Sequence, residues 1–244
     1  MANSDKSPVS VTLLGGFRLL AGGDQVKMSG GSERLLAFVA LCGHPVPRPL
    51  LAGTLWPDTP ERRAAASLRS TLVRLNGAGR QVLNIGATEI RLRPEADVDV
   101  HDARSLARRI LDPGTPTGEQ DLSAEAVALL SNSLLPGWYD DWAVVEAEEW
   151  HQQRLHALET LADDFIAAGR YADAVAAAGV AARADPLRES ARTALIRAHL
   201  AEGNQAEALR CFEHYRQHLH AELGLQPTSR LCGLVGGLRS GAGR

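Results

Sequence analysis

Short apolar runs in Val9–Met28 (VSVTLLGGFRLLAGGDQVKM) are broken by Gly15-Gly16 and Gly22-Gly23. Glycine pairs between runs of this length are turn signals, and their spacing predicts a small antiparallel sheet. Three helices are predicted next. ERLLAFVALC (33–42) can be capped by Ser32 and closed by Gly43 with Pro45. PLLAGTLW (49–56) is shorter, opening on Pro49 and ending before Pro57. ERRAAASLRSTLVRLN (61–76) has Thr59 as its expected N-cap and Pro60 as its first helical residue, where a missing N–H costs nothing. Asn76-Gly77 is its expected stop. QVLNIGATEIRL (81–92) then reads as two short strands turning at Gly86-Ala87, a hairpin. Sheet, three helices and hairpin, in that order, are the layout of a winged helix-turn-helix preceded by an added sheet.

The rest of the pattern is helical. It resumes at Asp102 (DARSLARRIL), is interrupted by the loop signal PGTPTGEQ (113–120), and runs from Ala143 nearly to Leu223. Breaks fall near Gly169, Asp185-Pro186 and Gly203. AAGRYADAV (167–175) and AEGNQAEAL (201–209) align at an offset of 34 residues, the period of tetratricopeptide helix pairs. Leu158, Leu161, Ala162, Phe165, Gly169, Ala174, Ala178 and Pro186 fall at the main consensus positions of a first unit. A second unit has Arg192, Leu195, Ile196, His199, Gly203, Ala208 and Phe212. It departs at Ile196 and His199, and its closing proline is delayed to Pro227. Each unit is too small to bury its own apolar face, so neighbours must stack.

Composition sharpens this division. A length of 244 residues accommodates one large or two small domains, and 45% hydrophobic with 23% charged residues is ordinary for a soluble globular chain. No apolar run approaches the ~20 residues that span a bilayer. The N-terminus MANSDKSPVS lacks the apolar core of a secretory signal, and Cys42, Cys211 and Cys232 form no CxxC pair. A cytoplasmic location without membrane partners is expected. Formal net charge is −3, but it is segregated. Residues 1–97 carry 12 Lys+Arg against 8 Asp+Glu, a net of +4, while residues 98–244 carry 14 against 21, a net of −7. Two domains with different partners are expected, a winged-helix unit over 1–97 and an all-α tetratricopeptide-like unit over 98–244.

The positive charge peaks on the third helix, where 61–76 holds four arginines and one acid. On a helical wheel Leu68, Leu72 and Leu75 form one face, widened by Ala64 and Ala65. Opposite lie Arg63, Ala66, Ser67, Ser70, Val73 and Arg74, with Arg62 and Arg69 at the flanks. A solvated face kept soluble by arginine is one reading. A recognition surface is the other. Small residues let a helix sit deep in the major groove, arginine pairs bidentately with guanine or phosphate, and hydroxyls bond phosphates. The position of this helix between a short helix and a hairpin favours the second reading. Arg62, Arg63, Ser67, Arg69, Ser70 and Arg74 are therefore the candidate DNA-binding residues. Arg80, Arg91 and Arg93, which flank the hairpin, are candidates for the adjacent backbone or minor groove.

Catalytic readings are weaker. His214 and His218 share a helix face at i, i+4, but no HExxH glutamate and no evident third ligand accompany them. Asp140-Asp141 do not converge as adjacent residues and have no nucleophile motif. PGWYDDW reads better as an aromatic corner packing between helices. The glycine pairs lack the helix and acidic partner of a dinucleotide fingerprint. No enzyme, metal or cofactor is expected.

LLGGFRL, RLLAFVAL, LAGTLWPD, LRSTLVRL, LLPGWYDDW, DPLRESARTALIRAHLAEGNQAEALRCFEHYR and AELGLQP occur in this order over almost the whole chain. The set resembles the Streptomyces antibiotic regulatory proteins, activators of secondary-metabolite gene clusters. The resemblance implies an OmpR-like winged helix followed by a bacterial transcriptional activation domain. It also implies binding to direct repeats of double-stranded DNA near promoters, self-association there, and recruitment of RNA polymerase holoenzyme. Larger relatives add an ATPase domain; this chain has no GxxxxGK[ST] loop, as expected of the short form. Asn76 departs from the basic residue that relatives often carry after RL. The expected function is a sequence-specific activator of antibiotic biosynthesis genes. A tetratricopeptide-type protein-binding adaptor or ligand-responsive regulator is the reading from a different class, and sequence preference in a promoter footprint separates the two.

Overall fold

The computed structural model describes residues 9–75, 77–114 and 117–240, with side chains as far as Gly237. Its elements are mainly helical, with two small sheets. Strands β1 (Val9–Thr12), β2 (Arg18–Ala21) and β3 (Asp24–Gln25) pair antiparallel, as the glycine spacing predicts. Helix α1 (Gly30–Cys42) starts earlier than expected: Ser29, not Ser32, is the N-cap. The Ser29 carbonyl accepts the N–H groups of Ser32 (2.8 Å) and Glu33 (3.0 Å), and Ser32 lies buried inside the first turn. Strand β4 (Val46–Pro47) leads into α2 (Arg48–Leu55), which carries Pro49 in its first turn. In α3 (Glu61–Arg74) Pro60 is the N-cap rather than the first helical residue. Its carbonyl receives the N–H groups of Arg63 (2.8 Å) and Ala64 (3.0 Å), so Thr59 stays outside. The helix closes at Leu75; the expected stop Asn76 lies outside the described residues, and Gly77 opens a short helix, α4 (Gly77–Gln81).

The hairpin forms as β5 (Leu83–Ile85) and β6 (Glu89–Leu92), with Ile85 opposite Ile90. Strand β4 adds to its other edge, giving the order β4-β6-β5, so the wing has three strands. Strand β7 (Asp97–Val98) was not predicted; it pairs parallel to β1 and completes the sheet order β3-β2-β1-β7. Helix α5 (Asp99–Ile110) follows at once. The Asp99 carboxylate accepts the N–H groups of Leu13 (2.8 Å) and Leu14 (3.0 Å), where β1 runs out of strand partners.

Two compact units divide the chain: Met1–Asp102 with Ser133–Trp150, and Ala103–Asn132 with His151–Arg244. This packing division departs from the expected sequence boundary at 97/98, which cuts through β7. The physical reason lies in 133–150. Leu134 bridges Leu14, the Gly15 N–H reaches Ser133 O (2.8 Å) and the Leu135 N–H reaches Leu13 O (3.0 Å). Leu135 adopts φ 42° to make this turn, a conformation unfavourable for a side chain, and is buried in return. Trp138 then packs on Phe17 (6.2 Å between ring centroids) and edge-on against Trp142 (5.9 Å), which meets Phe38 of α1 edge-on (5.2 Å). Asp140 pairs with Arg34 of α1. PGWYDDW is thus an aromatic corner, with a phenylalanine from the β1–β2 turn as an added partner.

In the second unit, α6 (Ala124–Leu130) and α7 (Asp141–Ala167, from His151 onward) precede α8 (Tyr171–Ala184), α9 (Glu189–Ala201), α10 (Gln205–Leu223) and α11 (Ser229–Ser240). The repeat recurs in detail. Gly169 (φ 72°) and Gly203 (φ 86°) end equivalent helices. Five residues are spanned in both by a bond of 2.8 Å, Arg170 N–H to Phe165 O and Asn204 N–H to His199 O. Leu158, Leu161, Ala162, Phe165, Ala174 and Ala178 are all fully buried. Helix α9 packs between α8 and α10. Ile196, Ala208, Phe212, Tyr215 and Leu219 form a cluster that α11 closes with Leu231 and Val235. Among the described residues no helix is long and apolar enough to cross a membrane.

Arg109 on α5 grips the buried Asp121 with two bonds, 3.0 and 2.8 Å, and holds its carboxyl below the ordinary range. A depressed carboxyl pKa contributes stability above the unfolded value, near 3.8, and loses it as pH falls through the folded value. Arg109→Ala is expected to cost about 1–2 kcal/mol at pH 7, the half-exposed guanidinium being partly screened by water. The gap to wild type should close as thermal melts are taken below pH 4 or so. A chain ending at Asp97 loses Val98, Asp99 and the whole 133–150 segment. Its near-ultraviolet circular dichroism and melting cooperativity should fall below those of the full chain's first unit; an unchanged melt would show those residues dispensable.

Candidate nucleic-acid interface

Helix α3 is positioned by one apolar stripe. Ala64, Leu68, Leu72 and Leu75 are buried, with α1 and α2 packed against the helix. Thr71 is buried with them, which the wheel did not anticipate; its hydroxyl donates to Ser67 O (3.0 Å) and so needs no water. Gly31 of α1 backs onto this point, where an added Cβ would come 3.7 Å from Thr71 Oγ1. Burial of that stripe fixes what faces outward.

Arg62, Arg63, Ala66, Arg69, Ser70, Val73 and Arg74 are exposed, and Ser67 is half-buried at the edge. Arg80 on α4 and Arg91 on β6 are exposed too. Among the described residues, no ion pair or hydrogen bond engages the side chains of Arg62, Arg63, Arg69, Arg74, Arg80 or Arg91. Arg93 differs. Its Nε donates to Leu83 O (3.1 Å) and its backbone N–H to Val82 O (2.8 Å), so it closes the base of the β5–β6 hairpin. Arg91 and Arg93 look equivalent in sequence, two residues apart on one strand face, but only the second folds back on its neighbour.

One basic residue was missed. Arg48 is the first residue of α2, and its side chain has no partner among the described residues. An open cleft of about 300 Å³ separates α2 from α3. Ala52, Trp56, Ala64 and Leu68 contribute apolar walls, and Arg48, Arg69 and Glu61 contribute its charges. The signal in the sequence was an arginine directly before Pro49, at the start of the short helix, where the helix dipole favours anions.

The other candidate chemistry is not assembled into a site. The His214 and His218 rings lie nearly parallel with centroids 6.3 Å apart, and among the described residues no group of three ligating side chains surrounds a metal position. Asp140 is occupied by Arg34, while Asp141 is exposed at the start of α7.

A helix-turn-helix whose third helix leaves an arginine face uncovered, closed by a three-stranded wing and followed by stacked helix pairs, defines a winged-helix protein with a tetratricopeptide-like unit. The family model for the bacterial transcriptional activator domain matches residues 97–239. The regulatory protein AfsR of Streptomyces coelicolor is 30% identical over 230 residues, covering 90% of this chain and 23% of that protein. AfsR of Streptomyces griseus is 30% identical over 234 residues, covering 91% of this chain and 24% of that protein. The chain thus spans about a quarter of the length of these curated relatives. The solved structure of Mycobacterium tuberculosis EmbR in complex with a low-affinity phosphopeptide superposes with a TM-score of 0.70 at 22% identity, covering 96% of this chain and 65% of that one, a likeness of fold. The chain belongs to the bacterial transcriptional activator domain family, and the comparisons bear out its resemblance to the Streptomyces antibiotic regulatory proteins. It is a regulator of transcription.

Because Arg63 and Arg74 are exposed and no hydrogen bond or ion pair ties them to the fold, Arg63→Ala and Arg74→Ala should leave thermal stability within about 0.5 kcal/mol of wild type. Leu68→Ala, which empties a core position, should cost about 2–5 kcal/mol. Paired denaturation curves check both, and a strongly destabilised arginine variant would contradict the solvent-facing assignment.

Proposed function

We propose that the protein is a sequence-specific activator that binds double-stranded DNA through α3 in the major groove. The observation that carries this reading is the set of six unpartnered guanidiniums on α3 and around the wing, in a chain whose net charge is −3. Free guanidiniums concentrated on one helix repel each other, and a phosphate backbone relieves that repulsion. In this reading Arg63, Ser70 and Arg74 face the base edges. Arg62, Ser67 and Arg69 reach flanking phosphates, joined by Arg48 across the cleft. Arg80 and Arg91 meet the neighbouring backbone or minor groove, and Arg93 acts by holding the wing in shape.

The division of labour follows the charge. Along the sequence residues 1–97 carry +4 and residues 98–244 carry −7; in this reading the first bind DNA, and the second, apart from the 133–150 segment that packs with the first unit, meet RNA polymerase holoenzyme or a neighbouring protomer. Head-to-tail protomers on direct repeats would recur at about one helical turn, ~10–11 bp, so that each α3 meets the same face of the duplex. The resemblance of the motif set to the Streptomyces antibiotic regulatory proteins supports antibiotic biosynthesis promoters as the targets.

Footprinting on promoters of neighbouring genes, followed by gel shifts, tests this. Arg63→Ala or Arg74→Ala should weaken specific binding by about 1–3 kcal/mol. The log–log salt dependence should have a slope of about −0.9 per phosphate contact, and Arg48→Ala should reduce it by about one contact on every sequence. Equal binding to all DNA, or none, would overturn the activator reading and favour a tetratricopeptide-type adaptor.

A further inference from the structure

Val73 is 81% exposed on the arginine face of α3, the one large apolar side chain that helix leaves in solvent among those described. It contributes almost nothing to the core, and valine is a poorer helix former than alanine or arginine. Lone exposed apolar residues are common on protein surfaces and alone call for no explanation. What singles this one out is its company. Ser70 and Arg69 lie three and four residues earlier on the same face, Arg74 follows it, and both arginines are unpartnered. Ala66, also exposed, lies two turns back along the same row. The row is therefore narrow, with the small Ala66 and Ser70 leading to Val73 and cationic groups on its flanks.

A β-branched side chain in a helix has one strongly preferred rotamer. The two methyl groups of Val73 are consequently held in place before any partner arrives, and little side-chain entropy is lost on docking. In the major groove three of the four bases present only hydrogen-bonding groups along the readable edge, whereas thymine presents a C5-methyl. A rigid apolar tip flanked by free guanidiniums complements that arrangement: the arginines take guanine or phosphate, and the valine takes a methyl. We propose that Val73 is a specificity-determining residue that reads a thymine through its C5-methyl group. The inference rests on the DNA-binding function proposed above and names the base at one position of the site.

Deoxyuridine differs from thymidine only by that methyl, so the test changes a single group on each side of the contact. In the footprinted duplex each dT, on either strand, is replaced in turn by dU, and affinity is measured by fluorescence anisotropy with full-length wild-type protein and Val73→Ala. Wild type should lose about fourfold at one position, the worth of one buried methyl-sized group. Val73→Ala should bind the unmodified duplex more weakly by a similar factor and lose nothing further at that same position. Its responses at all other thymines should match wild type. Circular dichroism of the variant should be unchanged, because the side chain is solvent-exposed. If no single dT→dU change affects wild type, or if wild type and Val73→Ala lose equally at every position, the assignment of Val73 is overturned while specific binding stands. A protein with no specific footprint overturns the DNA-binding reading itself, and one whose affinity survives both Arg63→Ala and Arg74→Ala overturns the assignment of α3 as the reading helix; Val73's role falls with either.

Discussion

Helix α3 can bury only one of its faces, and the choice of face organises the whole first unit. Ala64, Leu68, Leu72 and Leu75 must leave water, because each large side chain is worth about 1.5–3 kcal/mol when fully buried. Helices α1 and α2 supply the surface against which they do so. Once that stripe is covered, Arg62, Arg63, Arg69 and Arg74 have no position except outward. The arginine face thus follows from ordinary core formation and requires no special local conformation. The same burial fixes α2, whose first residue brings Arg48 to the cleft shared with Arg69.

The second structural requirement is closure of the N-terminal sheet. Its edge would expose β1 to solvent had β7 not paired with it, and β7 is only two residues long. Two residues give little pairing energy, so the closure is reinforced. Asp99 satisfies two N–H groups beyond the end of β1, and the 133–135 turn satisfies further backbone groups of Leu13 and Gly15. Burial pushes the Asp99 carboxyl upward in spite of those bonds, which shows that desolvation there outweighs the gain from the donors. Trp138 and Trp142 then seal the region by packing on Phe17 of the β1–β2 turn and Phe38 of α1.

The helical unit rests on a different economy of parts. Small residues at Ala174, Ala177, Ala178 and Ala181 allow α8 to approach its neighbours closely. Left-handed glycines at Gly169 and Gly203 reverse the chain at equivalent points. The second helix pair lacks an adjoining third pair in the described residues, and α11 serves in that place by covering Phe212 and Tyr215 with Leu231 and Val235. The delayed proline, Pro227, is buried just before this capping helix, and Thr228 is tied back to Glu189 of α9 (3.0 Å). Ile196 and His199, where the second repeat departs from the consensus, still lie on the inward side of α9, Ile196 fully buried and His199 half-buried.

The sequence alone determined whatever depends on neighbours a few residues apart: element types from apolar period, reversals from glycine pairs, the outward arginine face of α3, and the 34-residue repeat. These signals are local, because i, i+3 and i+4 spacing and turn chemistry act within one or two turns of chain. Helix starts were less certain, since Ser29 and Ser32, or Thr59 and Pro60, offer competing ends and packing selected between them. Thr71 turned inward because Ser67 O could take its hydroxyl, which composition does not announce. Arg91 and Arg93 parted ways because one lies within reach of Leu83 O. Strand β7 and the assignment of 133–150 to the first unit were decided by tertiary structure alone. A two-residue strand has no readable period, and the bonds that place it join residues as far apart as Leu13 and Asp99, 86 positions along the chain. Contacts at that separation exist only after the intervening helices have packed, so the linear pattern carries no mark of them.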